Sequence, residues 1–288
     1  MSLNTLNFAL NNGVHIPSIG LGTYQTADFS TLTNTLQTAL SLGYRHIDTA
    51  AFYKNEKMIG QVLQDLYKKQ SDFSLSRSDL FITSKLWPTN FGYEKALSSF
   101  QSSLSQLQTD YLDLYLLHWP NPQNKETWKA LEKLYKEGYI RAIGVSNFTV
   151  SQLEELLSYA DVPPTVNQIE CHPHLVDYDL LDFCKKHHIQ VESWSPFMRG
   201  CIFKEPILLE LAEKHHKTVA QIVLKWNLQL GLIPLPKSVT QNRLKENLDL
   251  FDFTLSKEDM ALIAKLNDGY RTGADPTEVY LHPEIVTG

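Results

Sequence analysis

The sequence predicts an α/β chain folded as a (β/α)8 TIM barrel, opened by an N-terminal β-hairpin and carrying two additional helices. Three observations lead there. About eight short apolar runs alternate with longer segments of helical period. The runs are too continuously apolar to face water, which implies parallel strands covered by helices. Finally, 288 residues with no Pro/Gly/Ser-rich linker and no low-complexity tract suit one barrel. Residues 1–288 are therefore expected to form a single domain.

Residues 6–10 and 14–16 are short apolar runs separated by Asn11, Asn12 and Gly13, a hairpin signal. Barrel strands are then expected over 19–23, 46–50, 80–86, 112–119, 140–146, 165–171, 190–195 and 232–237. Between them, 91–107 places Ala96, Phe100, Leu104 and Leu107 at helical spacing, and 125–136 does the same with Trp128, Leu131 and Leu134. Residues 205–216, ahead of a helix over 219–230, and residues 256–266 are helical segments beyond the basic repeat. After Asn267 the composition turns to Asp268, Gly269, Gly273, Asp275 and Pro276 with no period, so a loop that orders on contact is expected.

Thirty-two acidic against 26 basic side chains give a net charge of −6, which argues against a nonspecific hold on nucleic acid or an anionic membrane. Any anion must be held by a local cluster. Three cysteines without framework spacing suit a reducing compartment, and neither a leader nor a membrane-length apolar stretch is visible. A cytoplasmic monomer acting on a small molecule is the expectation.

In such barrels the active site is built at the C-terminal ends of the strands. Those ends hold Thr23, Asp48, Lys85, His118, Ser146 with Asn147, Asn167 with Gln168, Trp194, and Lys237 with Ser238. Taken singly these residue types are commonplace. As a group, Asp48, Tyr53, Lys85 and His118 can polarise and protonate a carbonyl that receives hydride. A tyrosine near pKa 10 is a poor acid unless a cation such as Lys85 stabilises its phenolate. Asp48 would keep the ammonium charged, and His118 would orient the carbonyl. Lys237, Ser238, Thr240 and Arg243 combine two cations with a helix start, which suits a phosphate. No Rossmann fingerprint is present, because Gly20-Leu-Gly22 lacks the third glycine.

Three segments carry a resemblance to a known family. They are Gly43-Tyr-Arg-His-Ile-Asp-Thr-Ala50 followed by Tyr53, Asn55 and Glu56; Asp110-Tyr-Leu-Asp-Leu-Tyr-Leu-Leu-His-Trp-Pro120; and Ile233-Pro-Leu-Pro-Lys-Ser-Val-Thr240 with Arg243, Glu246 and Asn247. In that order they resemble the signatures of the aldo-keto reductases, over nearly the whole chain. The resemblance implies Asp48, Tyr53, Lys85 and His118 as the catalytic tetrad and NADPH as cofactor. It implies Ser146, Asn147 and Gln168 on the nicotinamide carboxamide and Trp194 stacked on its ring. Thr23, Asp48, Ser195, Lys237, Ser238, Thr240, Arg243, Glu246 and Asn247 complete the cofactor set, and Tyr24, Trp87, His118 and Trp119 line the substrate pocket. The short stretch after Trp119 is most like the short-loop bacterial members, some of which reduce 2-oxoaldehydes or diketo sugar acids. No metal is expected, since Cys171 with His172 and His174 falls in a strand-end motif, and Cys184 with His187 and His188 lies at a polar helix end. The rival readings are a Schiff-base aldolase using Lys85 and a nucleotide-binding, redox-sensing subunit.

Overall fold

A computed structural model of the chain describes residues 7–26, 28–68, 75–282 and 284–287. The hairpin pairs β1 (Asn7–Ala9) antiparallel to β2 (His15–Pro17), with Phe8 opposite Ile16. Gly13 supplies the left-handed turn residue at φ 83°. Leu6, expected in the first strand, lies outside the described residues.

Eight strands follow: β3 (Leu21–Gly22), β4 (His46–Asp48), β5 (Phe81–Leu86), β6 (Leu114–Leu117), β7 (Ile143–Ser146), β8 (Val166–Glu170), β9 (Gln190–Trp194) and β10 (Ile233–Leu235). They form one sheet in chain order, each strand parallel to the next. The two edges meet through Gly20 N–H to the Pro234 carbonyl and Gly22 N–H to the Pro236 carbonyl, each at 3.1 Å. Glycine is required at the first of these. A Cβ on Gly20 would lie 2.7 Å from His46 Nδ1.

Each strand is shorter than its apolar run because pairing stops where the chain turns toward a helix. At 112–119, for example, Leu112 keeps only an isolated bridge to Ile140 and the ladder covers Leu114–Leu117. The helices are α1 (Phe29–Leu42), α2 (Glu56–Lys68), α3 (Tyr93–Leu107), α4 (Asn124–Lys136), α5 (Val150–Tyr159), α6 (Tyr178–Lys186), α7 (Pro206–His215), α8 (Val219–Gln229), α9 (Gln241–Leu248) and α10 (Lys257–Ala264). The predicted apolar faces of α3 and α4 are buried. Capping boxes from Thr218 to Gln221 and from Ser256 to Asp259 start α8 and α10.

Two apolar layers hold the fold. Between sheet and helices lie side chains such as Leu36, Ile59, Phe100, Trp128 and Trp226, each contributing about 1.5–3 kcal/mol by its burial. Inside the barrel, Phe81, Leu114, Leu116, Val166 and Ile233 pack against Leu10 and Ile16 of the hairpin. Asn11 and Asn12 donate to the carbonyls of Pro164 and Arg141, just ahead of β8 and β7. The hairpin therefore closes the N-terminal end, and the opposite end stays open.

The tail corrects one expectation. After Asn267 the chain forms α11 (Pro276–Leu281) and α12 (Glu284–Thr287) in addition to α7 and α10. Asp275 caps α11 by accepting from Thr277 N–H at 2.8 Å, and Pro276 opens its first turn. Helices of six and four residues are too short to show a period, which is why the sequence reads as loop.

Candidate active site

At the open end β4, β5 and β6, with the turn that follows β4, deliver the four residues read as a group. Asp48 ends β4, Lys85 lies in β5, and His118 follows β6. Tyr53 ends a 3-10 turn over Ala51–Tyr53, whose exit residue Lys54 sits at φ 56°. Lys85 is fully buried, and its Nζ donates to Asp48 Oδ1 at 2.7 Å, to the Thr49 carbonyl at 3.1 Å and to the Tyr53 hydroxyl at 3.3 Å. A buried ammonium persists only with such partners.

Burial pushes the Tyr53 phenol above its ordinary value, and the nearby Lys85 only partly offsets it. The expectation of a net lowering therefore fails. Desolvation of the phenolate outweighs the cation because Asp48 neutralises much of the ammonium field. Tyr53 accordingly holds its proton, the state a proton donor needs. Burial, with Lys85 close by, pushes the His118 imidazole well below its usual range, so it is neutral. Its ring meets Tyr53 edge-on at 5.7 Å and Trp87 at 4.9 Å.

Thr23 stands apart from the expected wall. It is buried, its hydroxyl donates to the Asp48 carbonyl at 2.8 Å, and its own carbonyl accepts from Asn55 Nδ2 at 3.0 Å. Thr23 braces the backbone of Asp48.

Strands β7 to β9 supply a second network. Ser146 Oγ donates to the Gln168 carbonyl at 2.8 Å, Asn147 Nδ2 donates to the His118 carbonyl at 3.1 Å, and Trp194 Nε1 donates to Asn147 Oδ1 at 2.8 Å. Asn147 and Ser195 take left-handed backbone at φ 63° and 54°, where the chain leaves β7 and β9. Gln168 Nε2 reaches Asp48 Oδ2 at 2.9 Å and Glu192 Oε2 at 2.8 Å. Glu192, fully buried, escaped the sequence reading.

At the third corner, Thr240 occupies the N-cap of α9 without a side-chain cap bond, so the first-turn N–H groups stay open. Lys237 and Arg243 are exposed there, with no salt bridge to another described residue. An uncapped helix start beside two uncompensated cations suits an anionic group.

The three regions border one cleft of about 960 Å³. Of the sequence-predicted residues, Tyr24, Asp48, Tyr53, Trp87, His118, Trp119, Ser146, Asn147, Gln168, Trp194, Ser195, Lys237, Ser238, Thr240, Arg243, Glu246 and Asn247 line it; Thr23 and Lys85 lie behind its wall. Phe52, Phe197, Phe203 and Ile285 line it too and were missed. Phe52 stacks on Trp87 at 3.8 Å. Nothing in its local sequence distinguishes it from a core phenylalanine. The cleft's make-up, amides at one end, a flat indole between and an open anion site at the other, fits a nicotinamide dinucleotide.

Among the described residues no group of three or more His, Cys, Asp or Glu is arranged to hold a metal ion. Burial pushes the Cys171 and Cys184 thiols up to about 12. Among the described residues no helix is long and apolar enough to cross a membrane.

Residues 18–268 match the model of the Aldo/keto reductase family. Glyoxal reductase of Bacillus subtilis is 49% identical over 271 residues, 94% of this chain and 96% of that protein. Methylglyoxal reductase DkgA of Escherichia coli K12 is 43% identical over 274 residues, 93% and 96% of the two chains. A Bombyx mori aldo-keto reductase solved in complex with NADPH superimposes with a TM-score of 0.90 at 37% identity, covering 97% of this chain and 92% of that one. With its barrel, its four-residue cluster and these relatives, the chain belongs to the aldo/keto reductase family and is an NAD(P)-dependent oxidoreductase.

Proposed function

We propose that the chain reduces small neutral aldehydes, 2-oxoaldehydes above all, to alcohols with NADPH. The observation that carries this is Lys85 Nζ held between Asp48 Oδ1 and the Tyr53 hydroxyl at the floor of the cleft. When bound, NADPH supplies the hydride to the carbonyl carbon. Tyr53, kept protonated by burial, donates its hydroxyl proton to the carbonyl oxygen. Lys85 stabilises the phenolate left behind, Asp48 holds the ammonium in place, and neutral His118 orients the carbonyl.

Ser146, Asn147 and Gln168 would hold the carboxamide and Trp194 would cover the ring, with Ser195 at the turn beyond it. Lys237, Ser238, Thr240 and Arg243 would hold the 2′-phosphate, and Glu246 and Asn247 complete that wall. Tyr24, Phe52, Trp87 and Trp119 offer an aromatic carbonyl end. The cations lining the cleft, Arg199, Lys237 and Arg243, all come from segments after β9 and β10. None stands with Phe52, Trp87 and Trp119, which favours a neutral carbonyl over a diketo sugar acid. The two bacterial relatives, a glyoxal reductase and a methylglyoxal reductase, point the same way.

The geometry disfavours the Schiff-base reading. Burial alone would lower the Lys85 ammonium, but Asp48 and Tyr53 outweigh it and the net shift is upward, so its lone pair is unavailable. The test is NADPH oxidation with glyoxal, methylglyoxal and a diketo sugar acid. Saturable turnover with the aldehydes is expected. A higher kcat/KM for the sugar acid overturns the substrate class, and absence of turnover with every carbonyl overturns the enzymatic reading in favour of a sensing subunit.

A further inference from the structure

Glu192 is the buried acid that the mechanism leaves unused. On β9 it faces the same side as Trp194, one layer deeper, and it pairs directly in register with Gln168 of β8. Its Oε2 accepts from Gln168 Nε2 at 2.8 Å, and the same nitrogen donates to Asp48 Oδ2 at 2.9 Å across 120 residues of sequence. A primary amide nitrogen has two hydrogens, and both are now engaged. The orientation follows from Asp48, whose carboxylate, paired with the Lys85 ammonium, offers the amide an acceptor oxygen and so faces its nitrogen. Gln168 Oε1 receives no donor among the described residues, and Gln168 lines the cleft. Two acceptors define the amide plane, whereas Asp48 alone would let the amide pivot about one bond.

We propose that Glu192 is a positioning residue for the nicotinamide: together with Asp48 it pins both amide hydrogens of Gln168 and so presents Gln168 Oε1 to the carboxamide N–H of the bound cofactor. This rests on the NADPH reading above. It adds a residue that touches neither cofactor nor substrate and acts through Gln168.

The surroundings of Glu192 give its role a pH signature. Its Oε1 is buried without a hydrogen-bond partner, and the nearest basic atom, His46 Nε2, is 3.7 Å away. His46 is neutral, because burial and the field of Lys85 push it down to about 3. Burial, with repulsion from Asp48, pushes the Glu192 carboxyl up to about 8. The titratable and charged groups facing it are His46 and Asp48 from β4 and Lys85 from β5; Ile233, Pro234 and Leu235 of the adjoining β10 contribute none. Above pH 8 Glu192 gains a negative charge beneath the nicotinamide site. That charge favours the pyridinium of oxidised NADP+ over the uncharged ring of NADPH, by a factor of about ten at the separations and screening of a protein interior.

The experiment titrates NADPH, NADH and NADP+ by protein fluorescence in the full chain and two variants. Glu192→Leu, of similar volume, removes the acceptor and is expected to weaken NADPH and NADH alike by about tenfold, the scale of one buried hydrogen bond. Glu192→Gln restores an acceptor oxygen and should recover that affinity. Between pH 7 and 9 the wild type should shift toward NADP+ relative to NADPH, and Glu192→Gln should not. Wild-type affinity in Glu192→Leu, or an unchanged pH response in Glu192→Gln, overturns the proposal. The Gln variant decides it alone if the Leu variant does not fold. A wild type that binds none of the cofactors fails at the earlier reading and is recognised as such.

Discussion

The Glu170 carboxylate accepts the backbone N–H of Thr272 at 2.7 Å, across 102 residues of sequence. It also accepts the Thr272 hydroxyl, Gly273 N–H at 3.1 Å and His172 Nε2 at 3.2 Å. A Cβ on Gly273 would meet the Trp194 ring at 2.4 Å, so this one carboxylate seats the tail directly against the cleft wall. Glu170→Gln should therefore weaken NADPH binding, through the wall that Trp194 forms, and cost about 1–3 kcal/mol of stability. Burial alone would raise the Glu170 pKa, but the hydrogen bonds outweigh it and the net shift is downward. Its contribution is thus present above the unfolded carboxylate value of about 4.3 and is lost as pH falls through the lower folded value. Thermal melts of wild type and variant should converge as pH falls through that lower folded value; a gap that stays constant with pH would detach the effect from the carboxylate.

Tyr53→Phe keeps the ring and removes one hydroxyl. Turnover should fall by at least about two orders of magnitude, the scale for losing a positioned proton donor, with NADPH affinity little changed. Steady-state kinetics beside a cofactor titration reads both. Substantial retained turnover would pass the proton to another group.

Lys85→Met leaves Asp48 Oδ1 in the interior without its 2.7 Å partner. Turnover should be abolished, any residual rate should follow a different pH profile, and stability should fall by about 3–5 kcal/mol. Chemical denaturation measures the last. Mass spectrometry of wild type after borohydride treatment with substrate should find no adduct at Lys85, and an adduct there would restore the aldolase reading.

Arg243→Ala should weaken NADPH by roughly tenfold to a hundredfold, the worth of one charge-assisted contact, while NADH changes much less. Arg243 is exposed, so the wild-type preference for NADPH should shrink as salt rises. Equal losses for the two cofactors would assign Arg243 to the fold or the adenine end.

Most of the architecture is legible in the sequence, because its signals are local. Continuous apolar runs marked the parallel strands and put Lys85 at the end of one, helical period marked α3, α4, α7, α8 and α10, and the signature segments placed Asp48, Tyr53 and His118 at or just beyond strand ends. Local signals also marked the proposed anion site, since Lys237 to Arg243 lie around the start of α9. Other features depend on segments distant in sequence. Glu192 reads as an ordinary polar residue in a strand until the barrel sets it beside Gln168 and near Asp48. Thr23 reads as a wall residue until its hydroxyl is found on the Asp48 carbonyl. Phe52 joins the cleft through its stack on Trp87, and the tail lies against the cleft wall where Glu170, 102 residues away in sequence, holds Thr272. The direction of the Tyr53 shift belongs to the same class. A neighbouring cation can be guessed from sequence, but desolvation is set by everything packed around the phenol, and only the closed barrel determines that.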